Sequence, residues 1–347
     1  MSQIAIVSKL VEGGMAPALA QEKAAMFVKA LARLPEDAAA ASGPSLYWVP
    51  GRIEVAGKHT DYAGGRSLLA AISKGFAVVA RTRSDATVRI MTTFMKGNTS
   101  VQMETSFELS PDLEMEQGHW ANYNRAVARR LCRNFPDAMK RGVDISLECD
   151  LPEASGMSTS SAIICYMYLV LASANGLEAD VKHKRLLGRE EDLFSYLGFC
   201  ENGQNAHPEL PGDRGVGTFG GSEDHTGIMS GAAGALKMYS YCPTKYEGSF
   251  AFPQDYNFVI LVSGYVAEKT GAKMGDYNNA AFLAFDAARA WTQVNAAKTA
   301  AISPIADFPF TIFNAETTGE CNLAEIVRYV ASKNPTYVVM CLFSTTR

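Results

Sequence analysis

One stretch limits what this chain can fold into more than any other: Val49-Pro50-Gly51-Arg52-Ile53-Glu54-Val55-Ala56-Gly57-Lys58-His59-Thr60-Asp61-Tyr62-Ala63-Gly64-Gly65. Pro50 and Gly51 end an irregular stretch, and Ile53 and Val55 alternate as a short strand does. The glycines around them let backbone approach a small ligand closely. Arg52, Glu54 and His59 to Asp61 therefore gather where a strand runs into a turn. That combination describes a polar pocket.

The chain has 347 residues, more than one typical core, and its 48% hydrophobic content is enough for two domains. Its 32 basic and 36 acidic residues give a net charge of −4, spread without blocks. No basic stripe suited to a phosphate backbone results, so no nucleic-acid partner is expected. The seven cysteines are scattered and include no C-x-x-C pair, which argues against a disulfide framework or a zinc site and for a cytoplasmic location. The N-terminus lacks a basic region followed by an apolar core, the mark of a secretory signal. Ala154 to Leu177 carries no charge, but only Ala162 to Ala172 is mainly apolar, well short of the roughly 20 residues of a membrane span. A buried helix is expected there, with no membrane partner.

Helical spacing covers Leu19–Leu34, and Pro35–Pro44 reads as a linker. Strand-like runs follow at Gly75–Thr82, Thr87–Met91 and Ser100–Leu109, expected to form an antiparallel sheet. A helix over His119–Asn134, a strand over Val143–Cys149, a turn at Leu151–Gly156 and a long helix from near Ser158 come next. Lys182–Cys200 is expected to be helical and the Gly- and Pro-rich stretch Gly203–Gly221 to be a mobile loop. Beyond it, Ala235–Tyr239 and Asn257–Val262 read as strands, and Asn278–Lys298 and Leu323–Ser332 as helices.

Three further segments carry chemistry. Pro152 to Ala162 (Pro-Glu-Ala-Ser-Gly-Met-Ser-Thr-Ser-Ser-Ala) places small residues where a strand turns into a helix, and exposed amides at a helix start hold phosphate oxygens. An ordinary Ser/Thr cap on a buried helix has the same spelling. Trp120-Ala121-Asn122-Tyr123 sets two aromatics at i, i+3 spacing, which a packed core also uses. Asp224, within Gly220-Gly221-Ser222-Glu223-Asp224-His225, stands either as a reactive carboxylate or as a turn residue or cap.

Taken in order, these segments resemble the GHMP small-molecule kinases, and most closely the galactokinases. The opening stretch resembles the sugar signature P-G-R-V-N-L-I-G-E-H-T-D-Y-N-G-G, with Glu54 for Asn and Lys58 for Glu. Pro152–Ala162 resembles P-x-G-x-G-L-S-S-S-A, with Ala154 for Gly and Thr159 for Ser. Trp120–Tyr123 matches W-A-N-Y, and the aspartate of G-I-M-D-Q falls on Asp224. The resemblance implies that Ala154, Ser155, Gly156, Met157, Ser158, Thr159 and Ser160 wrap the phosphates of ATP, while Trp120 and Tyr123 line its base. By the same resemblance Ser160 and Glu201 hold Mg2+, although Glu201 and Asp224 lie further apart than is usual in the family. Glu209 and Glu223 are rival ligands. Lys58, His59, Thr60, Asp61, Gly221 and Tyr277 would bind the sugar, and Arg52 and Asp224 would do the chemistry.

The implied architecture is the α+β, two-domain GHMP kinase fold. A helical extension (1–44) precedes a ribosomal protein S5 domain 2-like domain (45–240) and a ferredoxin-like domain (241–347). The third family motif, G-G-G-F-G-G or G-A-G-F-G-G, is missing, so the expectation is a truncated or divergent C-terminal domain in a monomer. The implied activity is an ATP-dependent sugar-1-kinase acting on galactose or a close relative. Lys58 admits a uronic acid such as galacturonate as substrate, and arabinose is a further candidate. A sugar-binding sensor without turnover is the alternative outside enzymes. Glu54 and Lys58, departures of opposite sign, are also expected to be able to pair.

Overall fold

The computed structural model describes residues 2–35, 40–57, 61, 64–96, 99–116, 118–152, 156–253, 256–261, 275, 278–279, 282–283 and 339–344. Two helices lead, α1 (Gln3–Glu12) and α2 (Pro17–Arg33), followed by strands β1 (Ser45–Ala56), β2 (Arg66–Thr82), β3 (Thr87–Lys96) and β4 (Thr99–Glu108). Next come α3 (Asn122–Asn134), β5 (Val143–Cys149), α4 (Thr159–Asn175), α5 (Val181–Leu187), α6 (Glu190–Asn202) and α7 (Glu223–Met229). The order closes with β6 (Ala235–Ser240), β7 (Lys245–Ala251), β8 (Tyr256–Leu261) and β9 (Val339–Ser344).

A seven-stranded sheet runs in the order β4-β3-β5-β2-β6-β7, with β1 paired to β2, and β8 and β9 form a separate pair. The sheet is mixed: β5 inserts between β2 and β3 and lies parallel to β3, whereas the other pairings in it are antiparallel. The 17-residue β2 is its spine. Residues Arg66–Leu69 pair with β6, residues Phe76–Thr82 pair with β5, and β1 follows β2 from Ala80 down to Leu68.

The two faces of β2 explain why it reads as an unbroken apolar run. Side chains alternate across a strand. Phe76, Val78 and Ala80 join Val127, Leu131, Ile164, Leu171 and Leu197 from α3, α4 and α6. Ala77 and Val79 join Ile6, Ala24, Phe27 and Ala30 from α1 and α2. Burying a side chain such as Phe27 stabilises by about 1.5–3 kcal/mol. Buried Lys23 on α2 bonds Asp150, which also accepts from the Gly75 amide at 2.7 Å, so the N-terminal helices are fastened to the end of β5.

Several boundaries differ from expectation. The 182–200 segment is two helices, because an extended Arg189 (ψ 139°) follows α5 and the chain restarts with Glu190, Glu191 and Asp192, acids suited to a helix start. The 203–221 stretch is anchored, not loose. Buried Arg129 and Arg130 on α3 reach into it, binding Asp213 and the carbonyls of Gln204 and Gly215. Gly215 (φ +51°) lies so close to α6 that a Cβ would meet the Glu201 carbonyl. Helices α1 and α7 and strands β7 and β9 were not expected. Of the helix expected over Asn278–Lys298, only 278, 279, 282 and 283 are described, all helical; Leu323–Ser332 lies outside the described residues. No helix among the described residues is long and apolar enough to cross a membrane.

Candidate active site

Arg52 organises the site. It sits on β1, which lies against the start of α4: a Cβ on Gly51 would fall 2.9 Å from the Met157 carbonyl. On the other side α7 packs down through Gly227, where a Cβ would meet Arg52 Cβ at 3.2 Å. The guanidinium joins all three elements. Its Nε donates to Asp224 Oδ1 at 2.8 Å, one terminal nitrogen donates to the same oxygen, and the other donates to the Gly156 carbonyl at 3.0 Å. Burial disfavours the Arg52 charge, but the carboxylates of Asp224, Glu223 and Glu54 outweigh it and hold the guanidinium more firmly protonated than usual.

The other Asp224 oxygen faces α4. Buried Ser161 donates to Glu201 Oε2 at 3.1 Å and lies 3.4 Å from Asp224 Oδ2, so one hydroxyl stands between two carboxylates. His225 Nε2 is 3.1 Å from the same Glu201 oxygen. Tyr123, on α3, brings its hydroxyl within bonding range of Ser160 and close to Glu201; burial and then Glu201 raise its pKa. Asp61 accepts from the Glu223 amide at 3.0 Å.

The turn into α4 suits an anion. Ser158 caps the helix in a left-handed conformation (φ 59°) without a side-chain cap bond, and its buried Oγ has no partner. The first-turn amides of Thr159 and Ser160 therefore lack an intrahelical acceptor. A cation nearby would find oxygen donors in Ser160 and Glu201. No group of three His, Cys, Asp or Glu among the described residues could hold it alone. That sparse oxygen set matches Mg2+, which binds through one or two carboxylates, water and substrate phosphates.

The structure thus brings together Arg52, Asp61, Tyr123, Gly156, Met157, Ser158, Thr159, Ser160, Glu201 and Asp224. Gly221 lies in the strip that packs on Gly198 of α6 just before α7. Trp120 precedes α3, stacked on His119 with centroids 5.7 Å apart. Lys58, His59, Thr60, Ala154, Ser155 and Tyr277 lie outside the described residues, and with Lys58 goes its expected pairing with Glu54. Of the rival metal ligands, Glu209 forms an exposed bidentate pair with Arg185 at 2.8 and 2.6 Å, and Glu223 faces Glu54 and Asp61. Sequence reasoning missed Ser161 and His225. Their signals were adjacency alone: Ser161 is the last hydroxyl of the Ser-Thr-Ser-Ser run and His225 follows Asp224.

Residues 38–82 match the galactokinase galactose-binding signature, and residues 122–193 match the GHMP kinases N-terminal domain. A galactokinase of Actinobacillus pleuropneumoniae serotype 5b (strain L20) is 32% identical over 122 residues, 35% of this chain and 30% of the relative. One from Lactobacillus helveticus is 33% identical over 150 residues, 43% and 38% of the respective chains. The matched stretch thus spans about a third of the length of these relatives. The crystal structure of Lactococcus lactis galactokinase complexed with galactose superposes with a TM-score of 0.53 at 21% identity, over 72% of this chain and 56% of that one, a likeness of fold.

Proposed function

Because the chain belongs to the GHMP kinase superfamily, on its galactokinase side, we propose that it transfers the γ-phosphoryl group of ATP to the anomeric hydroxyl of galactose or a close relative. The observation that carries the reading is the half-buried Arg52–Asp224 pair, set between the sugar-signature strand and the amide-rich start of α4. ATP would supply the phosphoryl group, and Ser160 and Glu201 would hold the Mg2+ that offsets the charge of its phosphates.

The remaining work falls to side chains of this chain. Asp224 Oδ1 is committed to Arg52, so Oδ2 accepts the proton of the C1 hydroxyl. The hydroxyl oxygen forms the new bond to phosphorus as the bond to ADP breaks. An aspartate beside an arginine is a weak base, so Asp224 mainly orients the hydroxyl and takes its proton late. Arg52 offsets the charge that collects on Asp224 and the moving phosphoryl group. Ser158 and the first-turn amides of α4 hold the phosphate chain.

The acids argue for a neutral sugar. Asp224, Glu223 and Glu54 face one arginine, and Asp61 lies beside Glu223, so a sugar carboxylate entering there meets repulsion. Galactose is therefore favoured over galacturonate. Initial rates of ADP release with galactose, arabinose and galacturonate, for the wild type and for Lys58→Glu, test both levels. Galactose-dependent ADP release is expected. No release with any sugar favours the sensor reading, and preference for galacturonate, lost in Lys58→Glu, moves the substrate to the uronic acids.

A further inference from the structure

Two departures from the family spelling meet in space. The sugar signature has asparagine where this chain has Glu54, and the motif that supplies Asp224 has methionine where this chain has Glu223. Glu54 on β1 and Glu223 at the start of α7 lie within hydrogen-bonding range of each other. One oxygen of each is buried without a donor, and Glu223 is only 3% exposed. A carboxylate cannot donate, so a hydrogen bond between two carboxyl groups requires a proton on one of them. Like charges in contact and away from water do not both ionise, and such a pair titrates as a unit.

We propose that Glu223 keeps its proton and donates it to Glu54, and that the pair so joined positions Arg52 against Asp224. The groups around the pair agree with that assignment. Arg52 faces it from β1, Asp224 and His225 belong to α7 with Glu223, and Asp61 accepts the Glu223 amide. Tyr241 approaches from beyond β6, bonded to Ser67 of β2 at 2.6 Å. Burial first, then Asp61 and the contact with Glu54, push the Glu223 carboxyl well above its usual range, with Arg52 opposing. A second negative charge on the pair would draw the guanidinium away from Asp224.

The direction with pH follows. Because the folded-state value lies above the unfolded one, the stability contributed by the Glu223 proton is complete below the unfolded carboxyl value. It is lost as pH rises through the folded one. Glutamine in either position donates without needing the proton. Thermal unfolding of wild type, Glu54→Gln, Glu223→Gln and the double variant, from acid to mildly alkaline pH, reads the pair without any turnover. The expected result is a wild-type unfolding temperature that falls as pH rises, a flatter profile in each single variant, and no further flattening in the double. A wild-type slope in either single variant, or additive effects, overturns the proton between them. Should a glutamine variant not fold, 13C NMR of the wild-type glutamate carboxyls replaces it, and the absence of a glutamate titrating far above the others overturns the proposal.

The positioning role rests on the kinase reading and has its own readout. In the wild type, kcat should fall about tenfold as the pair ionises, a loss of about 1.4 kcal/mol, while KM for the sugar moves less. Glu223→Gln should abolish that limb. A limb that persists in both glutamine variants overturns the positioning role. No turnover in any variant, with the unfolding profiles as expected, leaves the acid pair standing and removes the kinase reading instead.

Discussion

Two arginine–carboxylate clusters, one around Arg129 and Arg130 and one around Arg52, are built from the same residue types and do different work. In one, Arg129 and Arg130 on α3 share Asp213, and other donors go to backbone carbonyls of the 203–221 stretch, to the Leu113 carbonyl and to the Asn134 side chain. Cations exceed anions there, and carbonyl oxygens absorb the excess. In the other, Arg52 faces Asp224, Glu223 and Glu54, with Asp61 beside them, and anions exceed cations. Among the described residues, no donor reaches one oxygen each of Glu54 and Glu223. The first cluster spends nearly all its donors on holding a loop in place, with one Arg130 terminal nitrogen left without a hydrogen bond. The second holds unspent acceptors and a proton-dependent charge, the state a site needs if a ligand is to complete it.

The sharpest way to break this contrast is at Asp224. Asp224→Asn should lower turnover by roughly 10²–10⁴-fold, the usual contribution of an acid–base group, with ADP release as the assay. Asp213→Ala comes next. It leaves two arginines buried without their shared carboxylate and should cost about 3–5 kcal/mol of stability, read from the urea unfolding midpoint. A loss near zero would mean that the carbonyls alone hold the loop. Ser161→Ala removes one neutral bridge between Glu201 and Asp224, a loss of about 0.5–1.5 kcal/mol that should appear in kcat more than in sugar KM. Glu209→Gln is the smallest. Its exposed pair with Arg185 is worth about 0–1 kcal/mol, and the Mg2+ dependence of turnover should not change, whereas Glu201→Gln should raise the Mg2+ requirement.

The sequence revealed the site's members better than its contacts. β5 was expected over Val143–Cys149 and is found there, because its alternation is clean and polar turns bound it. The Arg52 strand, the small-residue turn into α4 and Asp224 were legible because local spelling fixes each. The Glu54–Glu223 contact was not, since it depends on how α7 seats on β1, and α7 is a seven-residue helix behind a glycine-rich stretch. The anchoring of 203–221 was hidden for a related reason. Arginines on a helix read as a solvated face, yet Arg129 and Arg130 are buried and reach a distant loop. Local pattern names the donors; only the packed structure says which acceptors they meet.

The central claim is that the anion-rich cluster performs the chemistry and the loop-holding one only supports it. The most direct measurement is ADP release per folded molecule, at saturating galactose and Mg-ATP, for Asp224→Asn and Asp213→Asn side by side, with the folded fraction of each set by its own unfolding curve. The account predicts that Asp224→Asn folds and is nearly silent, whereas the folded fraction of Asp213→Asn turns over at the wild-type rate. A folded Asp213→Asn that is silent, beside an Asp224→Asn that keeps wild-type turnover, would contradict it.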